Sequence, residues 1–211
     1  PQIAFLLDKA MGCIQSSNFA TAQLYLNQLL KIQPSNHDGL RLLGVIEALK
    51  ENYILAEKYL LSAIKVAPKN GIAHSNLGNV LKKLGREEEA LESYNTAIKF
   101  NNKYSEAYSN RGTLLNEMGN YEDALTDLQQ AVTLDNSNSV AHFNLANYLK
   151  QHKKYYESFD SYSKAIQINK SFSDARENLG HLLLLNLNFK DGWSNYDYRW
   201  LARYHRSNDA R

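Results

Sequence analysis

The chain has 211 residues, 44% of them apolar, and 24 basic residues against 22 acidic ones leave a formal charge of +2. That balance gives no strong pull toward nucleic acid or an anionic membrane. The single Cys13 excludes an internal disulfide framework, and no apolar run approaches the roughly 18–20 residues that span a bilayer, so no membrane insertion is expected. The opening PQIAFLLDKAMG lacks the basic n-region of a signal peptide. With the lone thiol this makes a cytoplasmic location the expectation, and Pro1 in place of Met leads us to expect a piece of a longer chain. Three prolines and ten glycines, beside abundant Leu, Ala, Lys and Glu, predict an all-α protein.

Taken in chain order, the elements repeat at an interval of 34 residues. The first stretch, 3–36, is degenerate, with Lys9 and Ala10 where later stretches carry Leu and Gly. The second, 37–70, contains GVIEALKENYILAEKYLLSAIKVAP, and the third, 71–104, matches it with GNVLKKLGREEEALESYNTAIKFNN. Stretches 105–138 and 139–172 continue with GTLLNEMGNYEDALTDLQQAV and ANYLKQHKKYYESFDSYSKAI. The last, 173–204, ends in FKDGWSNYDYRWLARYHR, leaving 205–211 as a tail or the start of a linker to a further domain. Small residues recur at Gly44, Gly78, Gly112, Ala146 and Gly180, and again at Ala22, Ala56, Ala90, Ala124, Ser158 and Gly192. Large ones keep step at Leu26, Leu60, Tyr94, Leu128, Tyr162 and Tyr196. Each stretch reads as two helices of about 13 residues joined by a turn such as KLGRE or EMGNY. The small residues admit close helix approach and the large ones fill the gaps. One pair cannot bury its apolar faces alone, so neighbouring pairs must stack.

This pattern resembles the tetratricopeptide repeat over nearly the whole chain. The resemblance implies a right-handed α-solenoid of about six units, whose first helices line the inner wall. The family's Trp near the start of the first helix is missing; Leu40, His74, Tyr108, His142 and Arg176 stand there.

One feature of the repeat is not demanded by packing. Asn76, Asn110, Asn144 and Asn178 recur at the same interval, followed one turn later by Asn79, Thr113, Asn147 and His181. Asn is a mediocre helix former, and its amide offers both donors and an acceptor to an extended peptide main chain. The column resembles the Asn ladder of the nucleocytoplasmic O-linked N-acetylglucosamine transferases, which holds protein substrates extended. These eight residues are therefore the expected peptide-binding set, with Asp8 and Leu42 departing from the ladder in the first two units. The bland alternative is an idle, exposed Asn. The two-carboxylate clamp of chaperone-binding relatives fits poorly: Asn79 and Asn110 match its amides, but Ser75, Val140 and Asn144 stand where its cations belong.

Two further surfaces stand out. Leu7, Met11, Ile14, Leu42, Val45 and Leu49 make an apolar inner wall, covered by a preceding segment or serving as a docking or self-association surface. Trp193, Tyr196, Trp200 and Tyr204 form an aromatic stripe beside Arg199, Arg203 and Arg206. This ending resembles bacterial tetratricopeptide proteins in which a glycosyltransferase-like domain follows. Six histidines show no metal-binding spacing, Cys13 has no nearby His, and no phosphate-cradling loop exists. The chain is expected to be no enzyme, without metal or cofactor, and to bind an extended protein segment rather than nucleic acid. The rival readings are a substrate-presenting arm of a larger glycosyltransferase and a self-associating homo-oligomeric scaffold.

Overall fold

The computed structural model describes residues 2–185 and Asn195. The aromatic stripe of Trp193, Tyr196, Trp200 and Tyr204 lies outside the described residues. Eleven helices and no strand occur among those described: α1 Gln2–Gln15, α2 Phe19–Ile32, α3 His37–Leu49, α4 Tyr53–Val66, α5 Gly71–Lys83, α6 Glu87–Phe100, α7 Ser105–Glu117, α8 Tyr121–Leu134, α9 Ser139–Gln151, α10 Tyr155–Ile168 and α11 Ser173–Leu185. Odd-numbered helices from α3 onward begin at the 34-residue interval seen in the sequence.

Local chemistry starts and stops each helix. Asn36, Asn70 and Asn138 cap α3, α5 and α9 by accepting from the backbone N–H groups of Gly39, Ala73 and Ala141, satisfying donors that the first turn leaves orphaned. The odd-numbered helices α1, α3, α5, α7 and α9 end with a left-handed residue, at Ser17, Glu51, Gly85, Gly119 and Lys153, with φ of 56°, 63°, 74°, 85° and 60°. The next residue then donates back to a carbonyl five positions earlier, as Arg86 N–H does to Leu81 O at 3.0 Å and Lys154 N–H to Leu149 O at 2.8 Å. These are Schellman closures, and they reverse the chain into the second helix of each hairpin.

The described chain divides into a unit ending at Asn110 and a unit starting at Arg111. In the N-terminal unit, α1–α2, α3–α4 and α5–α6 pair as antiparallel hairpins, and α2 packs on α3 and α4 on α5. One core cluster contains Ala10, Ala22, Leu26, Leu42, Leu43 and Ile46. Helix approach is limited by glycine: a Cβ at Gly78 would lie 2.6 Å from Tyr94 Cε1, and one at Gly44 2.7 Å from Leu60 Cγ. The small and large residue series of the sequence therefore meet face to face. In the C-terminal unit α9 and α10 form a hairpin and α11 packs on α10, around Ala146, Tyr162, Ala165, Ala175, Leu179, Leu182 and Leu183. Leu42 was expected on an apolar docking wall. It is 7% exposed and belongs to the core, because its helix turns it toward α2 and leaves Leu49, 54% exposed, as the surface residue; Val45 is half-buried.

Candidate functional site

The asparagines of the first helices sit between core residues. In α5, Leu77, Gly78 and Val80 are buried while Asn76 is half-buried and Asn79 exposed. The three-residue offset places the two amides on one helix face. Asn110 in α7 and Asn144 in α9 are likewise half-buried, as are Thr113, Asn147, Asn178 and His181. The N-terminal unit thus holds Asn76, Asn79 and Asn110, and the C-terminal unit Thr113, Asn144, Asn147, Asn178 and His181.

These amides are not equivalent. Asn79 Oδ1 accepts from the hydroxyl of Tyr94 at 2.7 Å, and Asn147 Oδ1 accepts from that of Tyr162 at 2.6 Å. Both tyrosines are almost wholly buried, and a buried hydroxyl without a partner is costly. Where the same core place holds leucine, the matching first-helix residue is no amide: Leu60 goes with Val45 and Leu128 with Thr113. One function of Asn79 and Asn147 is therefore to satisfy the core, a role our sequence reading missed although the 15-residue offset carries its signal. Asn76 and Asn110 differ: neither amide has a hydrogen-bond partner among the described residues.

In the C-terminal unit the amides join a network. Lys150 Nζ donates to Asn178 Oδ1 at 3.1 Å and lies 5.8 Å above the Tyr162 ring; Asn178 Nδ2 donates to Asn147 Oδ1 at 3.0 Å. Burial lowers the Lys150 pKa from its ordinary value. Beside this network Thr113, Asn116, Asn144, Asn147, Tyr148 and Gln151 line a cleft of about 60 Å³. Asn116 Nδ2 donates to Gln151 Oε1 at 2.9 Å, and His152 Nε2 meets Asn116 Oδ1 at 3.1 Å. Tyr148, whose hydroxyl donates to Tyr121 O at 2.9 Å, packs tilted against the His152 ring at 4.3 Å, and His152 in turn meets the Tyr121 ring edge-on at 4.7 Å.

Two charged clusters also escaped the sequence reading. Glu47 occupies a place that is leucine in the later units, and is 3% exposed; it is held by Gln23, Lys50 and Asn52. Burial works to raise its pKa, but hydrogen bonds from Asn52, Lys50 and Gln23 and the Lys50 charge outweigh that and hold it low. Arg111 likewise replaces a core leucine and grips Asp127, 5% exposed, through Nε at 2.6 Å and Nη2 at 2.8 Å. Both are bonds within the scaffold. His74 and His142 stand where packing was expected: His74 Nε2 meets Pro68 O at 2.9 Å, and His142 is buried against Asn136. Among the described residues no group of three His, Cys, Asp or Glu is placed to hold a metal, and no helix is long and apolar enough to cross a membrane.

Stacked antiparallel hairpins with small residues at their crossings define an all-α helical-repeat solenoid. A family model described as TPR repeat matches residues 78–119, and one described as tetratricopeptide repeat matches 105–138. Residues 78–138 thus carry tetratricopeptide repeats, and the described helices on either side continue the same hairpin fold, the architecture of a protein-interaction scaffold. No curated protein matches it. Among solved structures it is similar to Pseudomonas aeruginosa PilF, with a TM-score of 0.75 at 19% identity over 92% of this chain and 88% of that one. It is also similar to TTC0263, a thermophilic TPR protein of Thermus thermophilus, with a TM-score of 0.77 at 18% identity over 86% and 99%. YrrB, described as a TPR protein with an unusual peptide-binding site, gives 0.55 at 22% identity over 81% and 88%. At these identities the likeness concerns the fold.

Proposed function

We propose that this scaffold holds an extended segment of a partner protein along its first helices, with asparagine amides reading the partner's main chain. The observation that carries this is the pair Asn76 and Asn110. Both are half-buried on consecutive first helices, neither caps a helix, and neither amide has a partner among the described residues. A carboxamide supplies two donors and an acceptor, the complement of a peptide group. Helices packed side by side lie about 10 Å apart, and an extended strand rises about 3.3 Å per residue, so successive amides meet about every third residue of the segment. A likeness in fold to YrrB, whose description includes a peptide-binding site, agrees with this use of the wall.

Binding of an array of unrelated linear peptides tests the reading. Each net hydrogen bond contributes about 0.5–1.5 kcal/mol, so an Asn76→Ala/Asn110→Ala variant with unchanged melting is expected to bind roughly 5- to 150-fold more weakly. N-methylation of the peptide backbone should mimic that loss. Undiminished capture by the double variant would falsify the main-chain grip.

A further inference from the structure

We propose that the cleft of the C-terminal unit is a side-chain subsite, taking a short oxygen acceptor, Asn or Asp, from the segment bound along the first helices. The inference rests on the peptide-binding reading and adds a sequence preference to it. Its basis is the direction in which the amides are locked. The Lys150 ammonium has only donors, so the Asn178 atom facing it must be Oδ1. The other end of Asn178 is then the NH2 group, which fixes Asn147 Oδ1 as its acceptor. That same oxygen also receives the Tyr162 hydroxyl. Both lone pairs of Asn147 Oδ1 are consumed, and Nδ2, with both hydrogens, is the end that has no partner among the described residues.

Gln151 offers a second NH2 group. Its Oε1 accepts from Asn116 Nδ2, leaving Nε2 with two hydrogens. Two NH2 groups thus belong to one cleft, and no carboxylate lines it. Such a lining favours an acceptor. Size narrows the choice further: about 60 Å³ is several times what one water needs, roughly 10–15 Å³, and far below the roughly 300–1,000 Å³ of a small-molecule site. A two-carbon side chain ending in a carbonyl or carboxylate has the matching dimensions. The Lys150 charge, relayed through Asn178, polarises the Asn147 donors and favours Asp at the same place.

The test uses the full chain and acetylated, amidated octapeptide libraries in which one position is fixed as Asn, Asp, Ala, Leu or Lys. Blocked termini remove the terminal carboxylate as a source. Wild type is expected to enrich Asn, Asp or both at one position by roughly 2- to 12-fold over Ala and Leu, the value of one net hydrogen bond; which of the two is enriched identifies the carboxamide or the carboxylate. Gln151 is exposed, so Gln151→Leu should fold normally, keep total peptide capture and lose the preference. Gln151→Glu, which replaces donors by acceptors, should turn the preference toward Lys. A flat wild-type profile with peptides still captured overturns the subsite and leaves the asparagine grip standing, as does a preference that survives Gln151→Leu. Absence of capture by wild type overturns both.

Discussion

An asparagine repeated every 34 residues has at least three separate physical reasons in this chain. Asn36, Asn70 and Asn138 close helix N-termini. Asn79 and Asn147 answer buried tyrosine hydroxyls. Asn76 and Asn110 answer nothing in the described chain, which is why the binding proposal rests on them. The middle class yields a sharp expectation. Asn147→Val should cost about 1–3 kcal/mol, the penalty of a stranded buried hydroxyl, and adding Tyr162→Phe should return most of it. Chemical denaturation of the two single variants and the double variant gives the coupling; additive losses would show that the hydroxyl has another partner. Periodicity alone could not sort these classes. It revealed where amides recur, but whether an amide faces a backbone N–H, a phenol or open solvent depends on residues two to fifteen positions away.

At the scale of the element, the hairpin was the most legible part of the sequence. The 34-residue interval, the small residues at the crossings and the KLGRE and EMGNY turns predict paired helices, and the first helices from α3 onward start at that interval. The turn is also where the sequence is least consistent. Gly85 and Gly119 suit a left-handed backbone, whereas Ser17, Glu51 and Lys153 adopt it with a side chain, at a cost of roughly 1–2 kcal/mol each. Lys153 is exposed, so Lys153→Gly should raise stability by about 0.5–1 kcal/mol after the entropy of glycine is set against the relief. Hidden from any pattern were the charges at leucine places, since an apolar periodicity marks a burial site without saying that a polar residue there has a partner. Arg111→Leu should cost about 3–5 kcal/mol by abandoning the buried Asp127 carboxylate, and Arg111→Leu/Asp127→Leu should recover much of it. Thermal denaturation of the pair checks both.

For the whole molecule, acid is the expected weakness. Burial, ahead of the opposing Asn136 hydrogen bond, lowers the His142 pKa from its ordinary 6.5, and Glu47 is held below its ordinary 4.5. In each case the unfolded chain binds its proton at a higher pH than the folded chain does. The stability these groups contribute is complete above their ordinary pKa values and is lost as pH falls toward the folded ones. Melting temperature should therefore begin to drop just below pH 6.5, and again below 4.5. His142→Phe should flatten the first step only; an unchanged first step would assign it elsewhere. Repeat proteins unfold through nearest-neighbour steps, so each group should weaken its own hairpins first.

The bonds also differ in what they do when a repeat is copied or lost. Tyr94 with Asn79, and Tyr162 with Asn147, belong to one hairpin each, so duplication or excision of 34 residues would carry phenol and amide together. Lys150 with Asn178, Gln23 with Glu47 and Arg86 with Glu57 instead join neighbouring hairpins. Those junctions are matched pairs, and a shuffled copy would meet the wrong neighbour there. The array is interchangeable in its cores and addressed at its seams, which gives each hairpin a fixed place in the order.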